Sequence, residues 1–291
     1  MILVDLNQIA ISNLMVTLNS KYNQHMEVDE NLIRHMVLNS LRMYRSSYKE
    51  KYGELVLCCD NRNYWRKEIF PFYKASRKKT RASSDYDWNL IFETLNTIRD
   101  ELAEYFPYKV ISVYRAEADD IIAMLTMHRS DSSEPTLILS GDKDFMQLQY
   151  ITNVDQYSPV QKKFLRTDDP STFLKEHIFR GDRSDGIPNC LSGDSVFVQG
   201  QRQKPLSTKK MNEWSSNVTL DQDDKPDGMD ENAWRGFCRN RELIDLKYVP
   251  EDLKSQILDT YDTCKVAERS GLLNFFIQKR LRNLMDCIQE F

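Results

Sequence analysis

Short apolar runs recur through the first half of the chain, and most of them end on an acid. ILVDLN carries Asp5, ELVLCCD ends at Asp60 and TLILSGDKDF carries Asp142 and Asp144; KVISVY has no acid of its own, but AEADD follows within a few residues. Runs of this length, rich in β-branched and aliphatic side chains, read as buried strands. Between them the apolar positions change to helical spacing. Residues 31–48 place Leu32, Met36, Leu41 and Tyr44 near one stripe, and residues 88–105 do the same with Ile91, Leu95, Ile98 and Leu102. Strands alternating with helices predict an α/β fold with a mostly parallel central sheet and helices on both faces. Ligands of such sheets bind beyond the carboxyl ends of the strands, so Asp5, Asp60 and Asp142 are expected along one edge.

After about Tyr157 the strand pattern fades. Residues 171–179 look helical. A polar stretch from Gly181 to about Glu231 contains the basic QRQKPLSTKK and the acidic DQDDKPDGMDE and reads largely as mobile loop. Three helical patterns close the chain, over roughly 231–246, 250–263 and 268–291. The expected division is an α/β domain over 1–180 and a helical lobe over 181–291.

Composition narrows the class. With 291 residues, 41% apolar and 29% charged, the chain can bury a real core and has an ordinary globular balance. No run approaches the ~20 apolar residues of a membrane span, and the start lacks a basic region, so a cytoplasmic protein without membrane contact is expected. Of the six cysteines only Cys58 and Cys59 are close, and strand neighbours point to opposite faces. With no C-x-x-C, and with His25, His35, His128 and His177 far from the cysteines in sequence, neither a zinc site nor a disulfide framework is expected. The net charge of −4 is unlike that of many nucleic-acid-binding proteins, but it conceals a strong local pattern.

Nine acids stand out: Asp5, Asp60, Glu117, Asp119, Asp120, Asp142, Asp144, Asp182 and Asp185. Singly they mean little among 44 acids. The signal is repetition at equivalent places, at a strand end or at the start of a helix just after one. In AEADDIIAML, Ile121, Ile122 and Leu125 face the core, which turns Glu117 towards the sheet edge. A plainer reading is that three acids in a first turn simply suit the helix dipole. Convergence weakens it, because two carboxylates ~5 Å apart repel by roughly 3 kcal/mol at an effective dielectric of 20. Several in one cleft require cations, and oxygen ligands without His or Cys point to Mg²⁺ or Mn²⁺. Two such ions form the usual clamp for in-line attack on a phosphodiester.

Directly after Asp60, RNYWRKEIFPFYKASRKKTR carries Arg62, Arg66, Lys67, Lys74, Arg77, Lys78, Lys79 and Arg81 against the single acid Glu68, interleaved with Tyr64, Trp65, Phe70, Phe72 and Tyr73. Basic groups track a phosphate backbone, and aromatic faces stack on unpaired bases. The expected nucleic-acid contacts are Arg62, Arg66, Lys67, Tyr73, Lys74, Arg77, Lys78, Lys79 and Arg81. A solvated basic loop is the plainer alternative. It is disfavoured because the cationic and anionic clusters adjoin.

ILVDLN, LCCDN, YKASR, AEADDIIA, SGDKDFMQL and GDRSDGIP occur in the order and spacing of the flap endonuclease/5′-nuclease family, which the chain resembles over nearly its whole length, most closely in that family's bacteriophage members. The resemblance implies a PIN/5′-nuclease-like fold, a basic helical arch or loop over 61–90 and a duplex-binding C-terminal lobe. It implies two Mg²⁺ ions, with Mn²⁺ able to substitute: Asp5, Asp60, Glu117, Asp119 and Asp142 around the first, and Asp144, Asp182 and Asp185 around the second, partly through water. Lys74 and Arg77 match the arch residues that contact the scissile phosphate, and with Asp142 they are the expected catalytic residues. The implied activity is 5′-3′ exonuclease and flap endonuclease cleavage of RNA–DNA hybrids and DNA, removing RNA primers in phage replication. In that case the chain is a monomer in the host cytoplasm, with single-strand-binding protein and a sliding clamp as partners by family analogy. One departure is clear: residues 189–203 read NCLSGDSVFVQGQRQ and lack the family's glycine-rich G-x-G-x-K duplex grip.

Two other classes are weighed. A catalytically impaired nucleic-acid-binding accessory of the same fold would lack some of the acids, yet all eight implied ones are present. A haloacid-type phosphatase would need D-x-D-x-[TV] at the first strand, and Asp5 is followed by Leu-Asn-Gln; a small PIN-type ribonuclease would have fewer acids and no long C-terminal lobe.

Overall fold

The computed structural model describes residues 1–18, 29–84 and 86–291; His25 and the side chain of Lys79, both weighed above, lie outside the described residues. Strand β1 (Ile2–Asp5) runs directly into α1 (Leu6–Leu18). Then come α2 (Glu30–Tyr52), β2 (Leu55–Cys59), two short helices α3 (Trp65–Ile69) and α4 (Ala75–Ala82), α5 (Trp88–Tyr105), β3 (Lys109–Ser112), α6 (Ala118–His128) and β4 (Thr136–Leu139). A 3₁₀ segment (Lys143–Tyr150) leads into β5 (Val154–Ser158), β6 (Lys163–Leu165) and α7 (Pro170–Arg180). The chain closes with α8 (Thr208–Asn217), α9 (Glu231–Ile244), α10 (Glu251–Thr263), α11 (Leu272–Gln278) and α12 (Arg282–Met285).

The six strands lie in the order β3-β2-β1-β4-β5-β6, all parallel except the β5–β6 pair. β1 is central. The chain moves from it to β2 and β3 on one side, then crosses to β4 on the other, which puts the switch point between β1 and β4. Alternation within the strands serves two cores. Ile2, Val4, Leu55, Leu57 and Cys59 face α1, α2 and α5; Leu3, Val56, Cys58 and Ile138 face α6 and α10. Cys58 and Cys59 thus point to opposite faces as buried free thiols.

β5 and β6 are two strands that the apolar pattern does not reveal. Gln156 explains why: it is a buried polar residue in mid-strand, and its side-chain amide donates to the carbonyls of Ser140 (3.0 Å) and Asp142 (2.5 Å), bracing the end of β4. The arch or loop expected over 61–90 contains two short helices, α3 and α4, separated by Phe70–Lys74.

The stretch 181–231, expected to be mostly loop, contains α8. Ser207 caps it through the Lys210 amide, and Met211 and Trp214, three residues apart, bury one face in a third core with Phe179 and Phe237. The last expected helix, 268–291, is broken. Lys279 ends α11, Arg280 adopts φ 56°, and the chain folds back so that Leu281, Leu284 and Phe291 close over Phe106, Phe275 and Phe276. The third core runs across residue 180, joining Phe70, Tyr73, Leu174 and Phe179 to residues as far as Ile244. Leu246 to Ile257 and Leu272 to Phe291 return to the two sheet cores.

Trp214 tests whether this lobe is ordered. Trp214→Ala is expected to lose about 3–5 kcal/mol of stability in chemical denaturation, the usual cost of deleting a buried indole. A midpoint unchanged from wild type would mean that the segment does not pack.

Candidate active site

Three strand ends supply the first carboxylates. Asp5 terminates β1, where it accepts from the Gln8 amide (3.0 Å) and from the Ser140 hydroxyl at the end of β4 (3.3 Å). Asp60 follows β2 and accepts from the Ala118 amide at the start of α6 (2.8 Å) and from Asn7 (3.0 Å). Asp142 follows β4 and accepts from the Asp144 amide (3.0 Å). The fourth element is the N-terminus of α6, where Glu117 is the N-cap and Asp119 and Asp120 lie in the first turn.

Burial and crowding set the electrostatics. Burial, then repulsion from Asp60, pushes the Asp5 carboxyl up to about 7. Burial, then Asp144, does the same to Asp142, also to about 7. Asp119 rises well above the carboxylate range through burial and the neighbouring Asp142. Glu117 goes the other way: burial would raise it, but Lys74 and Arg66 outweigh burial and hold it low. Lys74 Nζ lies 2.5 Å from Glu117 and 3.5 Å from Asp185.

A second group gathers where α7 ends. Gly181 has φ +68°, and a Cβ there would lie 2.4 Å from the Ile187 carbonyl, so GDRSDGI turns tightly and pairs Asp182 with Ile187. Asp182 accepts from the Ser184 amide (2.7 Å) and hydroxyl (2.6 Å) and pairs with Lys143 (2.9 Å). Burial raises its pKa, but these partners prevail and bring it to about 2. Asp144 meets His177 Nε2 at 2.9 Å, and the same nitrogen lies 3.6 Å from Asp182. Asp185 holds Arg77 (2.5 Å) and the Tyr73 hydroxyl (3.0 Å). The backbone of the basic segment docks on this loop: the Lys74 amide, at φ 55°, donates to the Asp185 carbonyl (2.7 Å).

Three expectations are corrected. Arg66 and Tyr73, expected to meet nucleic acid, are 2% and 3% exposed. Arg66 binds Glu117 (3.0 Å), Asp120 (2.8 Å) and the Leu243 carbonyl (2.8 Å), and Tyr73 donates its hydroxyl between Glu117 and Asp185. Asp120, expected among the metal ligands, has no exposed surface. Its carboxylate accepts from the Glu117 amide in a capping box (2.9 Å) and from the Trp65 indole (3.1 Å). A core position, not the dipole alone, explains this acid. Conversely, sequence reasoning passed over His177, although it lies five residues before Asp182 at the end of a helical pattern.

Four of the expected carboxylates and five of the expected cations line one space. A cleft of about 750 Å³ has Asp5, Asp60, Asp119 and Asp142 on its floor and Arg62, Lys67, Lys74, Arg77 and Arg81 around it, with Tyr64 among them. It adjoins a second cavity of about 620 Å³ that Lys78 also lines. Carboxylates and cations therefore face a shared opening.

The profile of the 5′-3′ exonuclease N-terminal, resolvase-like domain matches residues 1–176, and that of the T4 RNase H C-terminal domain matches residues 171–291. The chain belongs to the 5′-3′ exonuclease family. It is a nuclease, a phosphodiesterase of a divalent-metal-dependent family that acts on nucleic acid. Ribonuclease H of Enterobacteria phage T4 is 31% identical over 297 residues, covering 99% of this chain and 95% of the relative. Flap endonuclease Xni of Shewanella sp. (strain W3-18-1) is 30% identical over 132 residues, 43% of this chain and 47% of its own length. Among solved structures, bacteriophage T5 D15 flap endonuclease in a pseudo-enzyme–product complex with DNA and metal ions superposes with a TM-score of 0.63 at 18% identity, over 90% of this chain and 99% of that one. T5 D15 protein co-crystallised with metal ions gives 0.61 at 16% identity, over 91% and 99%. At these identities the likeness shows a shared fold.

The carboxylates raised to about 7 have a consequence for stability. A folded Asp5 or Asp142 holds its proton between the unfolded value near 4 and about 7, so in that window the folded state binds more protons than the unfolded state. The protein in EDTA is expected to lose thermal stability as pH rises from about 4 to about 7, and added Mg²⁺ should stabilise it more at pH 8 than at pH 5. Melting curves independent of pH and of Mg²⁺ would contradict the crowding described.

Proposed function

We propose that this nuclease is a 5′-3′ exonuclease and flap endonuclease that hydrolyses phosphodiester bonds in RNA–DNA hybrids and DNA, removing RNA primers during phage replication. The observation that carries this reading is the single cleft in which four carboxylates on the sheet edge face five cationic side chains of the adjoining segment. Nucleic acid needs both: cations to hold the phosphates, and an anionic floor that binds metal rather than substrate.

The donors present fit divalent ions. Asp5, Asp60, Glu117, Asp119 and Asp142 offer oxygen to one ion, and Asp144, Asp182 and Asp185 to a second; Asp120 is left out because its carboxylate is taken up by the Glu117 amide of the capping box and the Trp65 indole. Bound Mg²⁺ or Mn²⁺ would lower the pKa of an attacking water and neutralise the leaving 3′-oxygen. The chain's own residues position the substrate. Lys74 and Arg77 reach the cleft from the docked backbone at Asp185 and hold the scissile phosphate. Arg62, Lys67, Lys78 and Arg81 attract the strand, and Tyr64 offers a ring on which an unpaired base can stack.

A 5′-labelled flap, a nicked duplex and an RNA–DNA hybrid assayed side by side with Mg²⁺ test the reading. Cleavage near the 5′ end of all three is expected, and none without divalent ion. Asp142→Asn is expected to abolish cleavage while keeping junction affinity; normal turnover in that variant would remove the metal assignment. Lys74→Ala and Arg77→Ala are each expected to lower turnover by roughly 10²–10³-fold, the range for losing one preorganised charge stabiliser. A change confined to salt-dependent affinity would mean that these groups only attract the strand.

A further inference from the structure

The expectation of Mg²⁺ rested on a donor set of oxygens alone, and the structure adds a nitrogen. Among the described residues, Asp144, His177 and Asp182 form a group in which one ligand atom from each lies within 4.8 Å of the others. His177 sits in the last turn of α7, is 6% exposed, and presents Nε2 at 2.9 Å from Asp144 Oδ1 and 3.6 Å from Asp182 Oδ2. Its backbone carbonyl accepts the Gly181 amide (2.8 Å) that ends the helix, and its ring packs against Phe173. The position of the ring is thus fixed by the same turn that delivers Asp182.

We propose that His177 is a nitrogen ligand of the divalent ion held by Asp144 and Asp182, and that it gives this site a preference for Mn²⁺ over Mg²⁺. The proposal rests on the metal-dependent reading above and adds a donor to it. Mg²⁺ dehydrates reluctantly and favours oxygen, whereas imidazole suits ions later in the divalent series. A nitrogen already 2.9 Å from one carboxylate and 3.6 Å from the other needs little movement to share an ion with them. The other possible role of the ring is a hydrogen bond that merely orients Asp144, and that role would leave no nitrogen coupled to the ion.

Pulsed electron paramagnetic resonance of the Mn²⁺-loaded protein separates the two. The wild-type chain is expected to show nitrogen modulation that changes on selective ¹⁵N-histidine labelling, a measurement that requires no variant to fold. His177→Gln is expected to lose that modulation and to weaken Mn²⁺ binding by at least about tenfold in calorimetry, with Mg²⁺ affinity altered less than about threefold. Bound Mn²⁺ without histidine coupling, or coupling that persists in His177→Gln, overturns the proposal and leaves the proposed function standing. Failure to bind Mn²⁺ at all overturns both.

Discussion

Mutual repulsion among carboxylates at one sheet edge is the constraint to which the surrounding structure answers. Asp5, Asp60 and Asp142 arrive there because parallel strands end together, and Glu117 and Asp119 because α6 begins beside them. The fold holds them with fixed dipoles: the amides of Gln8, Ala118, Asp144 and Ser184 each donate to one of these acids or to Asp182. Such bonds orient a carboxylate without supplying a full positive charge, so Asp5 and Asp142 remain pushed up to about 7. Where whole cations are supplied, the direction reverses, as Lys74 and Arg66 do for Glu117 and Lys143 helps to do for Asp182. The edge is thus partly compensated from within and, over Asp5, Asp119 and Asp142, left to cations from outside.

The basic segment does two jobs with one composition. Its inner side, Trp65, Arg66, Phe70 and Tyr73, is core, and it fixes Asp120, Glu117 and Asp185 through the Trp65 indole, the Arg66 guanidinium and the Tyr73 hydroxyl. Its outer side, including Arg62, Lys67 and Lys78, stays exposed. A guanidinium buried among two carboxylates and a carbonyl is satisfied at several donors, which is the condition for such a charge to be tolerated.

The sheet, its parallel order and the strand-end acids were legible because apolar runs followed by helical spacing constrain both chain direction and strand ends. Helix α5 was readable from its stripe alone. What was not legible depended on long-range contacts. β5 is half polar because Gln156 braces the end of β4, and α8 shows only two apolar anchors within a charged stretch. Nothing local separates Arg66 from Lys67 or Tyr73 from Tyr64. Only packing decides which of each pair turns inward. His177 was weighed against the cysteines for zinc and set aside, although its nearness to Asp182 in sequence was the usable signal.

The C-terminal lobe is braced against the carboxylate edge and not merely tethered to it. The end of α9 offers the Leu243 carbonyl to Arg66 and the Ile244 carbonyl to Gln147, whose side-chain oxygen accepts in turn from the Leu246 amide. Beyond that point the chain rejoins the sheet through Leu253 and Ile257. The stretch 189–203, which lacks the glycine-rich pattern, is held from the same helix. Arg239 binds Asp194 (2.5 Å) and the Pro188 carbonyl (2.8 Å), and Asn240 donates to the carbonyls of Ile178 and Pro188 (2.8 Å each). Side-chain amide and guanidinium groups of α9 therefore order this turn.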